Sequence, residues 1–334
     1  MRAFDESLET SLTPGGAVGI ILDGKPTFTT ARGVRKLGTS ALVTTSTLFR
    51  LESVTKTFTS LAALALVDRK ALDLDAPVAD LVPWVSFSDS ALAREVTLRR
   101  LLTHTAGFSR TQITKLRDVR GGFEYEDLFS KNALTLGPRD RFEYSNTGYL
   151  LVGAAIERAS KTSFDDTLRA LVTKPVGMGT ATTDSAVAAT REHAYGLGID
   201  AEGRERSFDP PSMDAYVQRA VGGLHASIDE LSLFAARLLA GVPEILRPET
   251  FADMTTKHAV TNERDVWYGY GIYGFDSPRG PVWTHTGVGR GSTAYFLCAP
   301  RQRFAVVAMT NAARYEGWRH VRRTAEEAFL GSPL

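Results

Sequence analysis

Ser53 and Lys56 are the two residues of this chain whose types and spacing most directly indicate chemistry. They lie three positions apart in the segment Arg50-Leu51-Glu52-Ser53-Val54-Thr55-Lys56, at the start of a strongly helical stretch. Side chains three apart on a helix share one face, with Cβ atoms about 5–6 Å apart. A serine hydroxyl becomes a nucleophile when a neighbouring group takes its proton. Lys56 can take that proton only if its pKa falls from about 10.4 toward about 7–8.

Two further motifs give this pair its significance. Tyr144-Ser145-Asn146 is a Tyr-x-Asn motif, and His285-Thr286-Gly287 is a His-Thr-Gly motif. A Ser-x-x-Lys motif alone is expected roughly 0.6 times by chance in a chain of this composition, and its simpler interpretation is an exposed serine near a surface lysine. The three motifs in this order are expected by chance in roughly a few chains per thousand. The set therefore indicates one site built from distant segments.

The elements that must position these residues follow from the hydrophobic pattern. Helices are predicted over residues 54–67, 149–159 and 315–329, and Ser227 is the predicted N-cap of a helix over 228–239. The predicted strands cover residues 17–22, 27–31, 47–51, 267–275, 282–285, 293–298 and 304–309. Strands therefore lie at both ends of the chain and helices lie between them. The simplest arrangement is a sheet assembled from the two ends, with an inserted helical region.

The three motifs resemble those of the serine β-lactamase and penicillin-binding protein superfamily. The similar branch holds class C β-lactamases, D-Ala-D-Ala carboxypeptidases, and their esterase and D-aminopeptidase relatives. Three more segments are similar to signatures of that branch: Pro14-Gly15-Gly16-Ala17-Val18, Leu101-Leu102-Thr103-His104-Thr105-Ala106-Gly107-Phe108 and Gly222-Gly223-Leu224-His225-Ala226-Ser227. The resemblance extends from about residue 12 to about residue 330.

This resemblance implies an α/β (α+β) fold of the β-lactamase/transpeptidase-like type. In it, an antiparallel sheet is flanked by terminal helices and receives an inserted all-helical region. We expect a discontinuous sheet domain over residues 1–60 and 216–334 and a mainly helical domain over residues 61–215. The active site would then lie in the cleft between the two domains.

The chemistry implied is acyl transfer through a covalent ester of Ser53, followed by hydrolysis. Lys56 and Tyr144 would act as a coupled unit, and the sequence does not decide which of them takes the proton. His285 is expected on the strand facing Ser53. There its imidazole can hydrogen-bond Tyr144 or the leaving group, with a charge that changes near neutral pH.

The remaining predicted site residues bind substrate. Asn146 is expected to contact both Lys56 and a substrate carbonyl. The resemblance implies an oxyanion hole formed by the backbone N–H groups of Ser53 and Val288, beside Thr286 and Gly287. Arg290 could bind a substrate carboxylate bidentately, and the alternative is a solvated loop arginine.

Other reactive side chains receive structural interpretations. Cys298 is the only cysteine, so no internal disulfide can form, and its apolar neighbours predict a buried strand thiol. His104 is assigned to a turn. Four more histidines do not pair at metal-ligand spacing, so no metal and no cofactor are expected: His193, His225, His258 and His320.

Composition limits the partners and the compartment. Hydrophobic residues make up 43% and charged residues 23%, as in ordinary globular proteins. A net charge of +1 gives no electrostatic case for nucleic acid or an anionic membrane, and the longest apolar stretch, 61–67, is too short to span a bilayer. The first nine residues carry acidic groups where a signal peptide needs an apolar core, so a cytoplasmic location is expected. The alternative is an exported protein whose leader is absent from this sequence, and the oligomeric state is not predicted.

Three departures from the similar families shape the functional prediction. Glu52 stands before the nucleophile where relatives usually carry a small residue, and we expect it to reshape the pocket. His285 replaces the lysine of efficient class C β-lactamases, and Val288 lacks the hydroxyl that would help to bind a terminal carboxylate. We therefore expect an intracellular serine hydrolase of small esters or amides, with at most weak β-lactam hydrolysis. The alternatives are a true β-lactamase or D-Ala-D-Ala carboxypeptidase without its leader, and a non-catalytic binding protein of the same fold.

Overall fold

The strand-rich ends of the chain meet in one antiparallel sheet, as the sequence predicts. The computed structural model describes residues 2–89, 93–109, 125–130, 133–137, 140–199, 203–210, 218–289, 291–313 and 317–332. Its strands are β1 (Gly15–Leu22), β2 (Lys25–Gly33), β3 (Phe49–Arg50), β4 (Gly196–Ile199), β5 (Glu205–Phe208), β6 (His225–Ala226), β7 (Ala259–Val260), β8 (Val266–Tyr268), β9 (Tyr273–Ser277), β10 (Gly280–Val288), β11 (Thr293–Ala299) and β12 (Phe304–Thr310). Within these residues eight strands form one sheet in the order β2-β1-β12-β11-β10-β9-β8-β7. The first long strand and the last, β1 and β12, pair antiparallel, so the two ends of the chain close on each other.

Most of the helices lie in the middle of the chain, and one lies near each end. They are α1 (Arg2–Thr10), α2 (Thr55–Asp68), α3 (Val78–Leu81), α4 (Leu98–Leu102), α5 (Tyr125–Ser130), α6 (Asn146–Ser160), α7 (Phe164–Leu168), α8 (Ser185–Ala189), α9 (Arg219–Gly222), α10 (Ile228–Leu239), α11 (Pro248–Met254) and α12 (Trp318–Leu330). A 3₁₀ turn, Glu52–Val54, leads directly into α2. Ser227 is the N-cap of α10, as the sequence predicts, and it forms a capping box with Glu230.

Alternating side chains of the sheet enter two separate hydrophobic layers. Ala17 and Ile21 of β1 pack into the core shared with the inserted helices, whereas Val18 and Ile20 pack into a smaller core. Neighbouring residues of a strand point to opposite faces, which explains this division. The smaller core is closed by the terminal helices α1 and α12, which contact each other across the ends of the chain.

Helix α2 lies inside the larger core rather than on its surface. Its residues from Thr55 to Leu66 are all buried. Small and apolar side chains on every side of the helix allow this burial, because a helix without a polar face belongs in a core. The hydroxyl groups find partners there: Thr57 donates to the carbonyl of Gly271 at 2.7 Å, and Thr59 donates to that of Ala220 at 2.7 Å. Any ionisable group near the start of α2 therefore sits in a dry environment.

The structure corrects three details of the sequence-based expectation. The strand predicted over 267–275 is two strands, β8 and β9, because Gly271 has a φ of +71° and turns the chain against Ser60 of α2. The region expected to be all-helical also holds the hairpin β4–β5. Helix α6 begins at Asn146, inside the Tyr-x-Asn motif, rather than after it. The predicted domain boundary at residue 60 falls within α2, and the division into two domains stays a prediction.

Candidate active site

Ser53 and Lys56 are brought together by the junction between the 3₁₀ turn and α2. The Lys56 Nζ atom donates a hydrogen bond to Ser53 Oγ at 3.1 Å and another to the carbonyl of Val221, in α9, at 3.0 Å. Ser53 is half-buried, whereas Lys56 is completely buried. The amine beside the Ser53 hydroxyl is therefore sealed from water.

Burial decides the electrostatics of Lys56. Desolvation lowers the pKa of the Lys56 amine well below its usual value, and the negative charge of Glu52 opposes this shift. The aromatic rings of Tyr144 and Tyr149 lie 4.9 and 5.7 Å from Nζ. Because burial disfavours the charged form, it shifts the Lys56 amine toward the neutral state, whose lone pair can accept the serine proton.

Tyr144 reaches this pair from the segment that precedes α6. Its ring packs 4.4 Å from that of His104 and nearly parallel to that of Tyr273, 6.5 Å away. The loop is fixed beside it, because the backbone N–H of Ser145 donates to His104 Nδ1 at 3.1 Å. His104, with a φ of +58°, therefore supports the site from a turn, which agrees with the structural role predicted for it.

The imidazole of His285 is held neutral inside the site. It is completely buried on β10; Nδ1 lies 3.0 Å from the carbonyl oxygen of Thr286 and Nε2 lies 3.3 Å from the hydroxyl of Tyr268. Since a carbonyl oxygen only accepts, Nδ1 carries the proton and Nε2 accepts from Tyr268. Desolvation, aided by Lys56, lowers the pKa of His285 to about 3. The expected change of charge near neutral pH is therefore wrong, because burial removes the water that would stabilise imidazolium.

Gly287 allows β10 to lie directly against the backbone of the nucleophile. A Cβ atom at this position would lie 2.1 Å from the carbonyl oxygen of Leu51 and 2.9 Å from the nitrogen of Ser53. Strand β9 pairs with β10 only as far as Thr284. Among the residues that the structure describes, 285–288 therefore have no strand partner on that side, and β10 contacts the 3₁₀ turn. Val288, at the end of this edge, is half exposed.

Asn146 is the predicted site residue whose contacts differ most from expectation. It is the first residue of α6, and within the described part of the chain its Oδ1 atom is buried without a hydrogen-bond partner. Among the described residues no hydrogen bond joins Asn146 Oδ1 to Lys56, whose amine donates to Ser53 and Val221. Arg290 lies outside the described residues.

Comparison with known proteins places this arrangement in a family. A family model described as Beta-lactamase matches residues 2–329. The chain belongs to the beta-lactamase family. Among its relatives is Penicillin-binding protein 4 of Amycolatopsis lactamdurans, which is 28% identical over 329 residues covering 92% of this chain and 83% of that protein. A probable fimbrial assembly protein FimD, serogroup H1, of Dichelobacter nodosus is 30% identical over 69% of this chain and 57% of that protein.

A solved structure agrees with this assignment. The octameric penicillin-binding protein homologue from Pyrococcus abyssi superposes with a TM-score of 0.82 at 26% identity, covering 99% of this chain and 76% of that one. The mixed α/β fold predicted for this member of the beta-lactamase family is thus confirmed. No helix in the described ranges has both the length and the hydrophobicity to cross a membrane.

Two cavities that share lining residues lie along the segment that leads to Tyr144, and neither is lined by Ser53 or Lys56. The first has a volume of about 380 Å³ and is lined by Arg141, Phe142, Glu143, Tyr144, Thr261, Asn262, Glu263 and Tyr273. The second, of about 400 Å³, shares Arg141, Phe142 and Asn262 with it. Sequence reasoning missed the aromatic wall formed by Phe142, Tyr144 and Tyr273, because Tyr273 comes from a segment distant from the other two. The Tyr268-to-His285 contact was missed too, since residues 267–275 were interpreted as one strand.

Glu52 does not line either cavity. Its carboxylate turns toward Ser292 and Arg50, and its backbone φ is +48°. The expectation that Glu52 reshapes the pocket stays a prediction. The described contacts of Glu52 include the connection between β10 and β11.

Proposed function

We propose that this member of the beta-lactamase family is a serine hydrolase that cleaves small esters or amides through an acyl-enzyme on Ser53. The observation that carries the proposal is the 3.1 Å contact between Ser53 Oγ and the amine of Lys56, which is itself sealed from water. A surface lysine would remain protonated and could not serve as a base. The burial of Lys56 supports a catalytic role for the pair. Burying an ionisable amine costs free energy, and groups with strongly shifted pKa values cluster at functional sites.

The acylation step needs a proton acceptor and an oxyanion site. Ser53 Oγ attacks the substrate carbonyl carbon, and its proton passes to the unit formed by Lys56 and Tyr144. The carbonyl electron pair moves onto oxygen, where the backbone N–H groups of Ser53 and Val288 would stabilise it. Collapse of this intermediate breaks the bond to the leaving group, which departs with the proton. Water then attacks the ester, the relay takes one of its protons, and the acid leaves as Ser53 regains its hydrogen.

His285 and Asn146 would act at the edges of this chemistry. A neutral His285 that accepts from Tyr268 fixes the aromatic wall beside Tyr144, whose ring centre lies 6.5 Å from that of the imidazole. The buried oxygen of Asn146 would accept a hydrogen bond from bound substrate or from Lys56 after it gains a proton. Thr286 and Gly287 would form the floor of the same substrate site.

One observation favours a second candidate, a penicillin-recognising enzyme such as a β-lactamase or a D-Ala-D-Ala carboxypeptidase. Both the Amycolatopsis lactamdurans relative and the Pyrococcus abyssi structure carry the name penicillin-binding protein. Val288 argues against strong activity of this kind, because it offers no hydroxyl to a substrate carboxylate. A non-catalytic binding protein is the weakest of the three hypotheses, because it gives no role to the contact between Ser53 and the buried Lys56.

One set of reagents separates these functions. The protein is treated with a fluorophosphonate and a fluorescent penicillin, and turnover of a p-nitrophenyl ester and a chromogenic cephalosporin is followed. Ser53→Ala should abolish labelling and turnover, while Ser40→Ala, at an exposed serine, should change neither. Labelling that persists in Ser53→Ala would refute the nucleophile assignment. Fast cephalosporin turnover without ester hydrolysis would establish the β-lactamase instead.

A further inference from the structure

Glu52 occupies a backbone conformation that most residues avoid. Its φ of +48° lies in the left-handed region that favours glycine, directly before the nucleophile. Residues persist in such conformations at functional sites when surrounding contacts hold them there. The contacts of its side chain therefore need an explanation.

The carboxylate of Glu52 is tied to the connection between β10 and β11. Its Oε1 atom accepts a hydrogen bond from Ser292 Oγ at 2.8 Å and lies 3.5 Å from Nε of the buried Arg50. Ser292 is itself buried, and its carbonyl accepts the backbone N–H of Gly289 at 3.1 Å. One carboxylate thus joins β3, the 3₁₀ turn of the nucleophile and the end of β10.

The fit between Glu52 and this connection is close. A Cβ atom at Gly289 would lie 2.0–2.2 Å from atoms of the Glu52 carboxylate. The backbone after Val288 therefore packs directly against this carboxylate. Two residues earlier, Gly287 lies equally close to the backbone of Leu51 and Ser53. The two backbone segments that carry the proposed oxyanion donors are therefore in contact at both ends of this short stretch.

We propose that Glu52 is a positioning residue that clamps the β10–β11 connection onto the nucleophile's 3₁₀ turn and fixes the spacing of the Ser53 and Val288 N–H groups. This inference rests on the proposed function, since those N–H groups matter only if an oxyanion forms. In this role the carboxylate does not take the proton of Ser53, which passes to the unit formed by Lys56 and Tyr144. Its Oε1 atom accepts a hydrogen bond from Ser292 and lies beside Arg50.

The charge of Glu52 provides a second signature. The groups around Lys56 are the Ser53 hydroxyl, the Val221 carbonyl, the rings of Tyr144 and Tyr149, and the neutral His285. The negative charge of Glu52 raises the lysine pKa and so opposes the effect of burial. Glu52→Gln keeps an acceptor for Ser292 but removes this charge. It should retain the rate at the optimum within about threefold, with the acid limb of the pH profile moved to lower pH.

Glu52→Gly removes the side chain of the clamp without straining the backbone. Glycine adopts a positive φ without strain, so this variant keeps the backbone conformation while losing the tie to Ser292. The buried Arg50 loses its partner carboxylate as well, so the melting temperature is measured beside that of Ser292→Ala, in which this ion pair remains. We expect a fall in kcat of about tenfold or more for the p-nitrophenyl ester, with little change in KM. Ser292→Ala should reproduce most of that loss, and the double variant should be no worse than Glu52→Gly alone.

Hydrogen exchange tests the clamp without relying on turnover. Amide hydrogens of Gly287, Val288 and Gly289 should exchange faster in Glu52→Gly than in the wild type or Glu52→Gln, as followed by mass spectrometry of overlapping peptides. Unchanged exchange and unchanged kcat in Glu52→Gly would overturn the inference. An equal fall in kcat and an equal rise in exchange in Glu52→Gln would overturn it too, because the hydrogen bond to Ser292 would then not explain the loss. If wild-type labelling does not depend on Ser53, the proposed function fails on its own, while the exchange result still decides the clamp.

Discussion

Replacing Gly287 by alanine places a methyl group where the backbone of the nucleophile already lies. The new Cβ atom would be 2.1 Å from the carbonyl oxygen of Leu51, 2.9 Å from the nitrogen of Ser53 and 3.0 Å from Cβ of Glu52. Non-bonded heavy atoms come to rest at about 3.5–4.0 Å, so β10 and the 3₁₀ turn must separate by roughly 1 Å or more. The nearest atoms are backbone, which cannot move aside as a flexible side chain can.

The expected loss follows from that displacement. Overpacking of this kind costs about 1–3 kcal/mol of unfolding free energy. A shift of about 1 Å in a catalytic constellation costs about 10²-fold in rate, and loss of one oxyanion donor costs about 10²–10³-fold. We therefore expect Gly287→Ala to lower kcat for a p-nitrophenyl ester by about two orders of magnitude, in a protein that remains folded at 25 °C.

The assay compares Gly287→Ala with Gly179→Ala. An added Cβ at Gly179 meets no atom within 4 Å, so this control should keep wild-type kinetics and stability. Ester turnover, the fluorophosphonate labelling rate and urea unfolding are measured on both variants. Near-wild-type turnover by Gly287→Ala would refute the idea that close contact between β10 and Ser53 builds the oxyanion site.

Three further predictions concern ionisable groups. Lys56→Met, which keeps the length of the buried side chain, should lower kcat/KM by about 10²–10⁴-fold without lowering the melting temperature, whereas Met at the exposed Lys257 should have no effect. Tyr144→Phe keeps the ring packing but removes the hydroxyl, and should lose about 10²-fold in kcat, while Tyr273→Phe should retain most activity; equal rates would remove Tyr144 from the relay. Burial lowers the pKa of His225 and of His285 to about 3, so the unfolded chain binds more protons than the folded one between about pH 6.5 and 3. Stability should therefore fall on acidification by up to about 1.4 kcal/mol per pH unit for each histidine. The free energy of unfolding, measured with urea between pH 7 and pH 5, should change less steeply with pH in His225→Gln than in the exposed His320→Gln. An identical pH dependence in the two variants would contradict this prediction.

Local spacing in the sequence determined the parts of the site that one segment can build. Ser53 and Lys56 meet because three-residue spacing at the start of a helix fixes their separation, whatever surrounds them. The apolar pattern of α2 and the capping box at Ser227 are local in the same sense. The strands near the two ends of the chain predicted one shared sheet, because unpaired backbone groups along a strand edge need a partner.

Only the tertiary structure decided what those groups can do chemically. The pKa of Lys56 depends on burial by α6 and α9, and the neutrality of His285 depends on burial and on Lys56. The tie from Glu52 to Ser292 spans 240 residues, and no spacing rule predicts it. Spacing follows from backbone geometry alone, but desolvation and long-range hydrogen bonds arise only when distant segments exclude water from the same volume.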